Sequence, residues 1–221
     1  MHDTIVEPFA GAAGYAVRHN HRNVVLCDKD PIIFGVWTYL INATASEIMH
    51  LPDLEDGQRV DDLDVCQEAR WLIGFLVNTG SASPCKTQSN WMKEFVGTGQ
   101  FWGEKRRIRI ASQLGSTRHW DVRNCSYHDI DIGEATWFVD PPYIDKGKYY
   151  KHGSSGIDYS HLGEWCRSRN GQTIVCENEG ATWLPFVNHN LSKSTSRTSG
   201  KTHSSEVIWT SGCDDKQIEM F

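Results

Sequence analysis

Ala135-Thr136-Trp137-Phe138-Val139-Asp140-Pro141-Pro142-Tyr143 is an apolar run that ends in a carboxylate, a rigid turn and a phenol ring. Its apolar and β-branched residues, without alternation, read as a strand buried on both faces in a parallel sheet. Pro141 and Pro142 cannot continue such a strand. Asp140 and Tyr143 are then presented at its carboxyl end, where open α/β sheets hold their ligands. A carboxylate and a ring at one turn suit an amino group attached to a flat ring. An ordinary turn punctuated by two prolines is the competing reading of the same four residues.

Working outward, Thr4-Ile5-Val6-Glu7-Pro8-Phe9 predicts a short strand, Ala10-Gly11-Ala12-Ala13-Gly14 a glycine turn, and Tyr15-Ala16-Val17 a helix start. Val24-Val25-Leu26-Cys27 predicts a second buried strand ending in Asp28. Asp30-Pro31 then opens a helix with Ile32, Ile33, Val36, Trp37, Leu40 and Ile41 at helical spacing. This β-α-β-α opening places the chain in the α/β class, with the nucleotide-binding half of a doubly wound, Rossmann-like sheet. Gly11 and Gly14 let a ligand approach the backbone, but the turn is not G-x-G-x-x-G, so a pyrophosphate is not the expected guest. Asp28 stands fourteen residues after Gly14, where a carboxylate can accept both hydroxyls of a ribose or serve as a plain strand-end cap. Together these favour a nucleoside without phosphates.

From about Ser46 to Tyr127 the pattern changes to helices and polar loops. Val65–Val77 has a helical apolar face, and Trp102–Leu114 reads as a basic amphipathic helix. The sheet is predicted to resume at Val122–Tyr127, followed by a helix at Ser160–Arg169, a strand at Thr173–Cys176 and a return strand at Glu206–Thr210. The expected domains are a catalytic sheet over 1–45 and 122–212, an inserted recognition region over 46–121, and a tail over 213–221. Net charge is −6, yet eight Lys and Arg face three acids between Lys86 and Arg123, and Lys193, Arg197 and Lys201 lie in a run without acids. Local basic surfaces on an acidic chain fit a polyanion gripped in one place, the alternative being solvated helix faces. Lys86, Lys105, Arg106, Arg107, Arg109, Lys193 and Arg197 are the candidates. Seven cysteines are scattered with no CxxC, and His19 and His21 read as loop residues, so no metal is expected and the thiols should be reduced. No apolar run approaches a membrane span, and the start lacks a basic leader, so a cytoplasmic protein is expected.

Glu7 to Gly14, Cys27-Asp28-Lys29-Asp30-Pro31 and Asp140-Pro141-Pro142-Tyr143, in that order, resemble the Dam-like family of DNA adenine-N6 methyltransferases, α group. The resemblance covers about two thirds of the chain. It implies S-adenosylmethionine as cofactor, duplex DNA as partner, and a monomer or weak dimer in the cytoplasm of a bacterial or phage-infected host, with restriction-modification, phage protection and regulation all open as its setting. By the same resemblance Glu7, Phe9, Gly11, Ala12 and Gly14 form the methionine-binding turn, Asp28 meets the ribose and Asp129 lies near the cofactor adenine. Asp140, Pro141, Pro142 and Tyr143 are the catalytic set, and the insertion reads the target sequence. Family members normally carry an aromatic-Gly-Lys motif before the glycine turn, and here only a few residues precede the first strand; either the chain is shortened or another segment compensates, which leaves cofactor affinity open.

The chemistry explains why these residue types belong together. An exocyclic amine is a poor nucleophile because its lone pair is delocalised into the ring. Asp140 and the Pro141 carbonyl, each accepting one N–H, favour a pyramidal nitrogen as charge develops, and Tyr143 stacked on the ring holds it for in-line attack on a sulfonium methyl. A base paired in duplex DNA must first be flipped out, with Tyr149 and Tyr150 as candidates to close over it. An RNA base methyltransferase uses the same tetrapeptide, although the long Gly14–Asp140 interval suits duplex reading. Cytosine-N4 enzymes usually carry Ser at the Asp140 position, and a catalytically silent DNA-binding relative is a further alternative.

Overall fold

The computed structural model of the protein describes residues 2–78, 81–90, 98–144, 153–188 and 206–211. In chain order its main elements are β1 (Thr4–Glu7), α1 (Gly14–Arg18), β2 (Asn23–Cys27), α2 (Pro31–Asn42), α3 (Ala45–His50), α4 (Gln67–Leu76), α5 (Glu104–Gln113), β3 (Asp121–Arg123), β4 (Ala135–Val139), α6 (Tyr159–Arg167), β5 (Gly171–Asn178), β6 (Val187–Asn188) and β7 (Glu206–Ser211). The fold is α/β with a mostly parallel, mixed seven-stranded sheet. The chain forms two compact units, Met1–Lys29 with Cys125–Phe221, and Asp30–Asn124.

In the first unit the strands run in the order β2-β1-β4-β5-β7-β6. The first four are parallel, with Val6 opposite Val25 and Trp137, and Val139 opposite Val175. β7 is antiparallel to β5, and β6 to β7. The chain leaves β1 toward β2 on one side and returns to β4 on the other, so the order reverses between β1 and β4. Ligand crevices of open α/β sheets form at such a reversal, outside the carboxyl ends of the strands. Ile5, Val6, Leu26, Cys27, Trp137 and Val139 are all fully buried, the two-faced burial that the unalternating apolar runs predict. Trp137 anchors this core: its indole N–H donates to the Asn170 carbonyl at 3.0 Å, its ring meets Trp165 edge-on at 5.4 Å, and Arg169 lies over both rings. α6 starts where the Asp158 carboxylate accepts the His161 N–H.

The second unit has its own core, with Val36, Ile48, Leu51, Leu72, Ile73, Trp102 and Leu114. Asp30 caps α2 by accepting the Ile32 N–H, Pro31 fills the first helical position, and Thr44 and Glu47 make a reciprocal capping box on α3. Gly35 lets α2 approach α4, since a Cβ there would lie 2.7 Å from the Trp71 ring.

Two expectations differ from what is observed. α2, assigned from sequence to the catalytic sheet as part of 1–45, belongs to the second unit because Val36 packs in that core. The segment expected as strand through Tyr127 is strand only over Asp121–Arg123. Ser126 and Asp129 cap each other around a 3-10 turn at Tyr127–Asp129, which bends the backbone away from an extended path. Among the described residues no helix is long and apolar enough to cross a membrane.

Candidate active site

The glycine turn leaves β1 with Gly11 at φ +45° and Ala13 at φ +49°, both in the left-handed region. Two contacts from β2 hold it there: the Ala10 N–H donates to the Cys27 carbonyl at 2.9 Å, and the Gly11 N–H to Asp28 Oδ2 at 3.1 Å. Asp28, expected to grip a ribose, thus also fixes the turn. Gly11, Ala12 and Gly14 are exposed, and a Cβ at Gly11 or Gly14 would touch nothing within 4 Å, so the turn has free space above it. That exposed backbone leaves room for a ligand beside the turn.

Glu7 does something else. Sequence placed it facing the cofactor, but it is 2% exposed and its Oε1 accepts the Ala16 N–H at 2.6 Å. Ala13, the residue before α1, has no side chain to cap it, so a carboxyl from the neighbouring strand satisfies the helix from below. Burial pushes the Glu7 carboxyl up to about 8, with Asp140 adding and the Ala16 N–H opposing. A folded-state pKa above the unfolded value means that the folded chain binds the proton more tightly, so stability is full below about pH 4.5 and declines as pH rises to about 8. Glu7→Gln keeps the acceptor without the charge. Thermal melts of the variant should lose most of this decline and exceed the parent protein at pH 8.

Phe9 is half-buried and stacks on Tyr127 with centroids 5.6 Å apart, which ties the glycine turn to the Tyr127–Asp129 turn. The Tyr127 hydroxyl in turn meets His161 Nδ1 at 2.6 Å. Asp129 is exposed, with Oδ2 accepting the Ser126 N–H at 3.1 Å.

At the end of β4, solvent reaches Asp140 although protein atoms crowd it. Loss of hydration lifts its carboxyl to about 6; the Tyr143 hydroxyl, as hydrogen-bond donor, opposes the rise, and Glu206 and Glu177 add to it. Among the described residues no cation pairs with Asp140. Tyr143, expected to stack on a ligand ring, turns its hydroxyl toward Asp140, and burial together with that carboxylate raises the phenol pKa. Tyr159 donates to the Pro142 carbonyl. The Pro141 carbonyl has no hydrogen-bond partner among the described residues.

No protein-family model matches the chain, and no curated protein does.

Three supporting residues escaped the sequence reading. Glu177 at the end of β5 is fully buried, and its carboxylate accepts the N–H groups of Asn178 at 2.8 Å, Ile144 at 3.3 Å and the Trp183 indole at 3.3 Å. The bond to Ile144 pins the backbone just after Tyr143. Trp183 packs on Tyr159 with centroids 5.6 Å apart, so Glu177, Trp183 and Tyr159 brace the Asp140–Tyr143 turn from one side.

The second unit holds the basic residues. Thr98, Gly99, Gln100, Lys105, Arg106 and Arg109 line an open cavity of about 390 Å³. Burial and the neighbouring Arg109 hold the Arg106 pKa below its usual value, and among the described residues no carboxylate pairs with Lys105, Arg106 or Arg109. Arg107, predicted to meet DNA, is instead 8% exposed, ion-paired with Asp53 and placed over the Trp102 ring at 5.7 Å. Lys86 is exposed but paired with Asp61 at 3.2 Å. Lys193, Arg197, Tyr149 and Tyr150 lie outside the described residues.

Proposed function

We propose that the chain is a site-specific DNA adenine-N6 methyltransferase that uses S-adenosylmethionine. The observation that carries this reading is the pairing of two turns at one sheet edge. An open glycine turn leaves β1, and a solvent-reached Asp140, paired with no cation among the described residues, leaves the parallel neighbour β4. Bound S-adenosylmethionine would supply an electrophilic methyl group on sulfonium.

Asp140 accepts one N–H of the target amine and the Pro141 carbonyl accepts the other; the Pro142 carbonyl, held by Tyr159, is not available. Tyr143 gives up Asp140 to the amine and lies along the ring. As the C–N bond would form and the methyl–sulfur bond break, with sulfur leaving as a neutral thioether, the carboxylate would stabilise the positive charge on nitrogen, and a group with a pKa of about 6 would take the departing proton and return it to water. Flipping the adenine out of its pair costs a few kcal/mol, which contacts to the DNA backbone must offset.

Incubation with methyl-labelled S-adenosylmethionine and unmethylated duplex DNA or RNA tests the reading. Label should enter duplex DNA as N6-methyladenine; label in RNA alone, or none at high cofactor, would contradict it. Lys105 and Arg109 are proposed as phosphate contacts because both line the open cavity and neither pairs with a carboxylate among the described residues. Lys105→Ala with Arg109→Ala should weaken duplex binding roughly tenfold and reduce the slope of log affinity against log salt by about 2, whatever the DNA sequence.

A further inference from the structure

Cys27 ends β2 and Cys125 opens the return of the chain to the first unit, 98 positions later, with their sulfurs 2.8 Å apart and neither in a disulfide. A disulfide requires about 2.05 Å, so a shift of about 0.8 Å joins them. The two residues flank the inserted unit, Asp30–Asn124, at its point of departure and its point of return. Cys27 is fully buried, whereas Cys125 is partly open to solvent. The Cys27 carbonyl receives the Ala10 N–H, and Asp28 beside it holds Gly11. Cys125 adjoins Ser126, which pairs with Asp129 in the capping box.

We propose that Cys27 and Cys125 form a reversible disulfide clasp at the root of the insertion, closed by a peroxide. The accessible Cys125 thiolate attacks a peroxide oxygen, the O–O bond breaks, and the sulfur becomes a sulfenic acid while the other oxygen leaves as water or an alcohol. The Cys27 sulfur then attacks the sulfenic sulfur, forming the S–S bond and releasing the hydroxyl with a proton as water. Two thiols lose two electrons and two protons to the peroxide, and an added dithiol reverses the change by exchange. The proposal does not depend on methyl transfer.

Peroxide treatment of the full chain, alkylation of remaining thiols and peptide mapping by mass spectrometry test it. The expected product links the Cys27 and Cys125 peptides, and Cys27→Ser or Cys125→Ser each prevents that link. Because the closed loop spans 98 positions, the oxidised protein should melt roughly 10 °C higher than the reduced one, and dithiothreitol should abolish the difference. Oxidation confined to Cys66, Cys85 or Cys213, or a Cys27–Cys125 link that leaves the melt unchanged, overturns the clasp. Failure of DNA methylation with an intact disulfide would overturn only the proposed function.

Discussion

Replacing Asp140 by Ala should lower methyl transfer about a thousandfold while changing cofactor affinity by no more than about twofold. The asymmetry follows from position. Asp140 leaves β4, whereas the turn proposed to hold the cofactor is braced by Asp28 and Glu7 from β1 and β2. In the proposed reaction its carboxylate would meet the amine, and its contribution would appear only as charge develops on nitrogen. Asp140→Asn keeps the size and one acceptor but carries no charge and cannot take a proton, so it should lose nearly as much. The pH profile of the parent protein separates this role from a structural one. Only the ionised carboxylate can offset positive charge on the amine and take up its proton, so the rate should fall as pH drops through about 6 and level off above it. The Tyr143 hydroxyl holds that value down; Tyr143→Phe should therefore move the acid limb to higher pH. Equal loss of transfer and of cofactor binding in Asp140→Ala would mean that the carboxylate builds the pocket and does not address the amine.

Trp137→Ala should produce the largest loss of stability, about 3–5 kcal/mol, seen as a fall of roughly 10 °C in Tm. The side chain is fully buried at the centre of the sheet. Its removal leaves a cavity beside Trp165 and takes away the ring under Arg169, while the Asn170 carbonyl loses its donor. Trp137→Phe restores most of the volume and should recover more than half of the loss. Equal melts for the two variants would show that volume is not what stabilises this position.

Where burial is two-sided, the sheet was legible in the sequence. Val24–Cys27 and Ala135–Val139 carry no alternation because helices and strands cover both faces, and the structure buries them accordingly. The glycine turn was legible from Gly11 and Gly14, as was the α2 start from Asp30-Pro31. The core to which α2 belongs was not, since an amphipathic period does not name the surface it packs against. Arg107 was misread although a sign was present: it falls three and seven positions before Ile110 and Leu114, hence on the apolar face of α5, while Lys105 and Arg109 lie off it. Glu7 was assigned to the cofactor turn by the family resemblance alone. Its capping of α1 depends on a contact nine residues away that no local pattern encodes. Glu177 was invisible for a similar reason, its partner Ile144 lying 33 positions away.

The central claim is that a carboxylate at the end of β4, next to an open turn from β1, makes a ring amine reactive. Nucleoside mass spectrometry of DNA from methylation-deficient cells expressing the parent chain or Asp140→Ala tests it most directly. The account predicts N6-methyldeoxyadenosine with the parent chain and background with the variant; the same amount from both, or none from either at matched soluble expression, would contradict it.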